Sequence, residues 1–303
     1  MARGAFLYLA VAASLAACPP ASQADQHDYL TVEQRAADFA SFCRFVEEEY
    51  AYFDLKKTDW RQVCTFYAPQ VTRATDQATY IELLEQALGE LYDSHAHLGT
   101  NTRRSYRLVP TQTDLFADWK DGRAIILDVR RSSGAERAGL LPGMQVMEIN
   151  GVATEDAVRA IEPKFLSRED PAARAWALQV ALAGRRDREI IRLLTRMGDS
   201  LREFDFVPGD SEPTSMLSYR VIRGVGYVRI NNSLGQQELV PAFDKVLAEF
   251  PDVQALVIDL RDTPSGGNSA VARGIMSSPA CRPKGRPVAR IVPAHCRADL
   301  TEM

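Results

Sequence analysis

The chain has 303 residues, of which 46% are hydrophobic and 25% are charged, an ordinary balance for globular domains. This length is enough for two or three domains. The net charge of −4 argues against nucleic acid as the main partner. Beyond the N-terminus, no apolar run approaches the roughly 18 residues of a transmembrane helix.

Residues 1–24 predict a bacterial-type secretory signal, because a short positively charged start precedes an apolar stretch of small residues over Gly4–Ala17. Two forms of processing stay open. The run Leu15–Cys18 is typical of a lipobox, which would leave a lipid anchor on Cys18. The run Ser22–Ala24 instead predicts cleavage directly after it and no anchor. Both forms predict a periplasmic or cell-envelope protein that keeps no transmembrane helix after signal cleavage.

Residues 29–104 predict an N-terminal helical domain. It opens on a capping-box pattern, and apolar side chains then recur at helical spacing. The pattern consists of Thr31 with Gln34, followed by one stripe of Phe39, Phe42, Cys43, Val46 and Tyr50 and another of Tyr80, Leu83, Leu84, Ala87, Leu88 and Leu91. Because secretion permits disulfides, Cys43 and Cys64 on neighbouring predicted helices are expected to pair. Two buried free thiols are the alternative.

Residues 105–200 predict a β-rich domain. A strand over Ala124–Val129 is followed by a short helix over Ser133–Leu140, and Pro142–Gly151 then gives a turn, a strand and an Asn-Gly hairpin signal. This order resembles the second half of a PDZ domain of the protease-associated type. No Gly-Leu-Gly-Phe-like carboxylate-binding loop precedes it. The polar stretch Arg202–Glu212, which contains proline and glycine, is interpreted as a linker.

Residues 216–278 predict part of an α/β domain. A strand over Gly226–Asn231, an amphipathic helix and a buried strand over Val253–Leu260 form a βαβ unit, expected to be right-handed with parallel strands. The next loop contains Gly266 and Gly267 at the carboxyl end of the second strand, where open α/β sheets bind ligands. Backbone N–H groups in such a loop suit an oxyanion hole.

A second candidate site lies at the end of the helical region. His95 follows an apolar helix and is a candidate general base, although a structural histidine is the plain alternative. His95 and His97 could together bind a metal, but no third ligand group lies nearby in the sequence. The sequence therefore predicts neither a metal nor another cofactor.

The motifs at both sites resemble one family. Asp93-Ser94-His95-Ala96, placed before the PDZ-like region, and Asp259-Leu260-Arg261 followed by Gly266-Gly267 are similar to segments of the tail-specific (C-terminal-processing) serine proteases, in their tricorn-core branch. The resemblance implies that His95 is the general base and Ser94 its orienting neighbour. It also implies that a backbone N–H of Gly266 or Gly267 is the oxyanion donor, within a crotonase-like protease domain.

The family's catalytic serine lies well beyond the Gly-Gly loop, and nothing in residues 279–303 resembles its turn. That segment is rich in proline and arginine and predicts an irregular, frameshifted or genuinely proline-rich tail. Ser269, Ser277 and Ser278 follow the loop, but none has the setting of a nucleophile. The sequence therefore predicts a protease domain that is truncated before its serine and inactive or nearly so.

Taken together, the sequence predicts a multi-domain α+β protein with a helical region, a PDZ-like domain and an incomplete βαβ protease domain. The predicted function is that of a serine-type peptidase acting on secreted or envelope polypeptides. The first alternative is a non-catalytic periplasmic PDZ module that binds peptide C-termini. The second is a fragment whose third domain does not pack.

Overall fold

The computed structural model describes residues 30–209, 215–250, 253–263, 266–277 and 290–292. It combines N-terminal helices with largely antiparallel sheets, so the predicted mixed α+β class is confirmed at this level. The predicted signal segment with Cys18 lies outside the described residues, as does nearly all of the predicted tail. None of the described helices is both long and apolar enough to cross a membrane.

Three α-helices form the first region: α1 (Val32–Glu49), α2 (Trp60–Thr72) and α3 (Gln77–Gly89), with a 3-10 turn over Phe53–Leu55. Side chains cap each helix, which satisfies backbone N–H groups that have no partner in the first turn. Thr31 and Gln34 form the predicted capping box at α1, and Asp59 and Asp76 cap α2 and α3. The two apolar stripes meet in one core that includes Phe39, Val46, Trp60, Val63, Tyr67, Val71, Tyr80, Leu84, Ala87, Leu88 and Leu91.

A disulfide joins Cys43 on α1 to Cys64 on α2, with the Cα atoms 6.1 Å apart, so the predicted pairing is confirmed. The indole N–H of Trp60 donates to the carbonyl oxygen of Cys43 at 2.9 Å beside the bridge. The covalent bond therefore lies where the two helices already pack.

Replacing both cysteines by serine should lower the free energy of unfolding by about 3 kcal/mol, because a loop of this size then gains entropy in the unfolded chain. Urea unfolding with and without a thiol reductant measures the loss. Reductant should shift the midpoint of the native protein and leave the double variant unchanged. Equal midpoints for native and variant protein under oxidising conditions would show that the bridge contributes nothing.

The second region is a six-stranded antiparallel sheet with three helices. Its strands run in the order β1-β2-β3-β5-β6, with β4 paired to β3. The elements are β1 (Leu115–Lys120), β2 (Arg123–Val129), α4 (Gly134–Ala138), β3 (Gln145–Ile149), β4 (Val152–Ala153), α5 (Thr154–Arg159), α6 (Pro171–Ala183), β5 (Ile191–Met197) and β6 (Ser200–Phe206). The predicted strand at Ala124–Val129 and the strand before the Asn-Gly turn are both present.

The linker interpretation of Arg202–Glu212 was wrong over its first half. Strand β6 pairs with β5 through Phe206, and Phe204 and Phe206 are buried while the residues between and before them face solvent. Aromatic residues at every second position supply the buried face of a strand. Burial of these two rings decides the local structure, although the residues around them are charged. Gly134 then packs against this end of the sheet, where an added Cβ would lie 1.9 Å from the carbonyl oxygen of Val207.

A buried carboxylate connects the helices to the chain that enters α6. Glu90, 3% exposed, accepts the backbone N–H groups of Lys164 at 2.6 Å and Phe165 at 3.2 Å through Oε2. Nearby, the N–H of Asp59 donates to the carbonyl of Phe165 at 2.7 Å. Burial raises the pKa of Glu90, and these hydrogen bonds only partly offset that effect.

The third region is a four-stranded sheet in the order β10-β9-β8-β7. It comprises β7 (Leu217–Ile222), β8 (Val225–Ile230), α7 (Leu239–Glu249), β9 (Ala255–Asp259), α8 (Ser269–Met276) and β10 (Arg290–Val292). Strands β8 and β9 are parallel and joined by α7, which confirms the predicted βαβ unit. Strand β10 pairs in parallel with β9, so the predicted tail is not irregular at this point.

Candidate active site

The predicted base lies on a loop that leaves the helical core. Leu91 is fully buried, and Tyr92 takes a φ of +40°, which turns the chain outward. The side chain of His95 is 96% exposed. A buried anchor followed by a left-handed residue therefore presents the imidazole to solvent.

Asp93 binds the backbone of His95 and lies close to its ring. Its Oδ1 accepts the backbone N–H of His95 at 2.9 Å and lies 3.5 Å from His95 Nδ1. Its Oδ2 accepts the hydroxyl of Tyr50, the C-cap residue of α1, at 2.6 Å. Burial raises the pKa of Asp93. The hydrogen bonds from Tyr50 and His95 and the charge of Lys56 together lower it by more than burial raises it, so the pKa of Asp93 is below the ordinary value.

Tyr92 anchors the same loop from the other side. Its hydroxyl donates to Asp170 at 2.8 Å and accepts the N–H of Lys57 at 2.7 Å. The ammonium group of Lys56 lies 4.3 Å from the centre of the Tyr92 ring and donates to the Tyr92 carbonyl at 3.2 Å. Burial and the Asp170 carboxylate raise the pKa of Tyr92 to about 12. The loop is thus tied to both the helices and the start of α6.

Ser94 and His97 border a cavity that Asp93 also lines, whereas His95 is not among its lining residues. The cavity has a volume of about 330 Å³, and Tyr67 and Trp176 line it too. His97 Nδ1 lies 3.1 Å from the carbonyl oxygen of Leu98. No group of three or more His, Cys, Asp and Glu side chains is placed to hold a metal ion in the part of the chain that the structure describes.

The Gly-Gly loop starts from a buried ion pair at the end of β9. Asp259, 2% exposed, accepts two hydrogen bonds from the guanidinium of Arg261, at 2.9 and 2.7 Å, and one from the hydroxyl of Tyr227. Burial raises the pKa of Asp259, but these hydrogen bonds dominate and hold the pKa far below its usual range. The pair fixes the direction in which the chain leaves the strand.

The two glycines of this loop differ. Gly266 has a φ of +71°, and its N–H donates to the carbonyl of Thr263 at 3.0 Å. Gly267 packs against Leu234, whose Cγ would lie 2.6 Å from an added Cβ. The N–H of Gly267 makes no hydrogen bond to the described residues. The next residue, Asn268, caps α8.

Among the described residues, the predicted site residues His95, Ser94, Gly266 and Gly267 make no hydrogen bond or ion pair with one another, either within a loop or across the two loops. Ser269 begins α8, and Ser277 is its C-cap. Ser278 lies outside the described residues.

Sequence reasoning missed Asp93 and Tyr50 as members of this site. Asp93 had a signal in the sequence, because an aspartate two residues before a candidate base can cap the turn and reach the ring. Tyr50 had none, because 43 positions separate it from Asp93 and its apolar spacing predicts only a core role.

Residues 31–89 match the family model of the tricorn protease C1 domain. Three solved structures are similar at low identity. A CPAF mutant is 15% identical with a TM-score of 0.47, and the match covers 79% of this chain and 57% of that chain. The photosystem II D1 C-terminal processing protease is 16% identical with a TM-score of 0.45, covering 80% and 64%. A Bacteroides fragilis protein assigned to the S41 proteases is 19% identical with a TM-score of 0.29, covering 54% and 42%.

The chain therefore spans 57% and 64% of the length of the first two of these proteins. No curated protein matches it significantly. TM-scores below 0.5 are too low to assign a fold by themselves. The C1-domain match lies within the helical region that leads into the His95 loop, and this match is consistent with the tail-specific protease family.

Proposed function

We propose that the protein belongs to the machinery of a serine-type, tail-specific peptidase that engages secreted or envelope polypeptides. The observation that carries the proposal is the C1-domain match over residues 31–89, which leads directly into a loop where a carboxylate contacts His95. We also propose residues 29–104 as the helical domain, 105–200 as a PDZ-like domain and 216–278 as part of a crotonase-like protease domain.

In this proposal His95 is the general base. Nε2 would take the proton of an attacking hydroxyl and later return a proton to the leaving amine. Of the two glycines, Gly267 is the better oxyanion donor, because the N–H of Gly266 is already bonded within its own turn. Among the described residues, no serine hydroxyl is hydrogen-bonded to His95. We therefore propose that this chain binds polypeptide and turns it over poorly or not at all.

The alternative function is a PDZ-like module that binds peptide C-termini without catalysis. The six-stranded antiparallel sheet is compatible with it. The two functions differ in what they recognise. A peptidase site engages the interior of an unfolded chain, whereas a module for C-termini needs the free carboxylate.

Photo-crosslinking separates the two functions. A photoreactive amino acid replaces His97, an exposed residue two positions after the proposed base, and Asp199 in the exposed β5–β6 turn serves as the control position. An unfolded polypeptide should be captured at position 97 and not at 199, equally well with a free or an amidated C-terminus. Capture that requires the free carboxylate would favour the module, and no capture at position 97 would contradict a substrate site beside His95.

A further inference from the structure

We propose that Asp93 is a positioning residue for His95. Its carboxylate, held by the hydroxyl of Tyr50, accepts the Nδ1 proton of the imidazole and leaves the Nε2 lone pair facing solvent. This inference rests on the proposed function, in which Nε2 is the basic atom. It assigns the orienting role to Asp93, whereas the sequence resemblance implies Ser94.

The geometry gives the carboxylate one stable orientation. Oδ1 is fixed by the backbone N–H of His95 at 2.9 Å, and Oδ2 by the Tyr50 hydroxyl at 2.6 Å. A rotation of the carboxylate would break both bonds. Oδ1 is therefore held in place, and it lies 3.5 Å from Nδ1. A small rotation of the exposed ring can shorten this distance, and catalytic hydrogen bonds often shorten in this way when substrate binds.

The charge state of Asp93 determines which nitrogen carries the proton. An ionised carboxylate only accepts hydrogen bonds, so Nδ1 must be the donor and the neutral ring takes the Nδ1–H tautomer. The side chain of Asp93 is 13% exposed, while that of His95 is 96% exposed. Water competes little for the carboxylate, whereas Nε2 remains open to an incoming hydroxyl group.

The chain offers a matched control. Asp170 also accepts a backbone N–H two residues ahead, from Ala172 at 2.9 Å, and a tyrosine hydroxyl, from Tyr92 at 2.8 Å. Through Tyr92 it anchors the same loop. Asp170 has no contact with an imidazole among the described residues. The Asp170→Ala variant therefore shows the effect of loosening the loop while Asp93 remains beside the ring of His95.

The test measures the tautomer of His95 by long-range ¹H–¹⁵N correlation of the full chain. The measurement is made about two units above the ordinary imidazole pKa of about 6.5, and the spectrum of His95→Gln assigns the signal. The Nδ1–H form should predominate in native protein and in Asp170→Ala. In Asp93→Ala its fraction should fall at least about twofold, and Tyr50→Phe should shift it in the same direction.

An unchanged tautomer in folded Asp93→Ala would overturn the inference, as would an equal loss in Asp170→Ala. If Asp93→Ala does not fold, Tyr50→Phe decides by the same criterion. The crosslinking result is independent of this measurement. If Asp93→Ala loses the Nδ1–H form but position 97 captures no polypeptide, the positioning role is retained and the peptidase function is refuted. If the tautomer is unchanged but position 97 captures polypeptide, the peptidase function is retained and the positioning role is refuted.

Discussion

Purified protein should degrade unfolded polypeptide no faster than background, and a fluorophosphonate probe should label none of its serines. Attack on a carbonyl needs a serine hydroxyl within hydrogen-bond reach of the base. None of the serines in the described residues is hydrogen-bonded to His95. Without its covalent machinery, a triad enzyme keeps only about 10³–10⁴-fold acceleration over water, which is too little for a gel-based peptide assay to detect.

Two variants make this expectation decisive. Intact-mass analysis after probe treatment should give the same unlabelled mass for native protein, His95→Ala and His97→Ala. A labelled serine would contradict the prediction if His95→Ala abolished the labelling and His97→Ala preserved it. Peptide mapping would then identify the nucleophile, with Ser269 and Ser277 as the first residues to examine.

The second large effect concerns the ion pair at the end of β9. Arg261→Leu should destabilise the protein by about 3 kcal/mol, because it leaves the carboxylate of Asp259 buried without its counter-charge. The figure is at the low end of the range for such pairs because the Arg261 side chain is 26% exposed. Urea unfolding followed by circular dichroism measures the change.

Arg192→Leu is the matched control. Arg192 makes the same two-bond contact with Asp205, both at 2.8 Å, but the two side chains are 54% and 42% exposed. The unfolding midpoint of this variant should barely move, because exposed ion pairs contribute little. Equal losses in the two variants would show that burial of Asp259 does not determine the energy of its pair.

The pH dependence follows from the lowered pKa of Asp259. A carboxylate whose pKa is lower in the folded state stabilises the protein above its unfolded pKa, about 3.9, and the effect is lost as the pH falls through the folded value. Because the unfolded chains titrate alike, the stability difference between native protein and Arg261→Leu should be full at neutral pH and shrink in acid, as the carboxylate is protonated first in the variant and then in the native protein. A difference that persists unchanged in acid would assign the loss to packing rather than charge.

Much of this architecture could be predicted from local patterns. Capping residues and apolar stripes predicted the first helices, and strand-helix-strand periodicity predicted the parallel pair β8 and β9. Strand β6 was not predicted, because Arg202, Glu203 and Asp205 make its sequence polar. Phe204 and Phe206, at alternate positions, nevertheless point toward the core. Pairing between β5 and β6 buries those rings, which is a tertiary effect that composition does not reveal.

The candidate site, too, could be predicted from the sequence only in part. His95 and the glycines stand in short motifs that a single sequence reveals. The contact between Tyr50 and Asp93 depends on where the end of α1 lies relative to the loop after α3, and helix packing sets that position. Which glycine has an N–H without a hydrogen bond to the described residues likewise depends on the turn that closes on Thr263.

The buried carboxylate of Glu90 has a consequence for how acid acts on this molecule. Because its pKa is raised in the folded state, protonation favours the folded form, and the benefit fades as the pH rises through the folded value. Asp93 and Asp259 respond in the opposite sense, since their pKa values are lowered. Acidification should therefore reduce the stability that Asp93 and Asp259 contribute at the two loops, while it relieves the burial cost of the Glu90 carboxylate between the helices and the chain at Lys164 and Phe165. The sensitivity to acid thus differs from place to place within one fold.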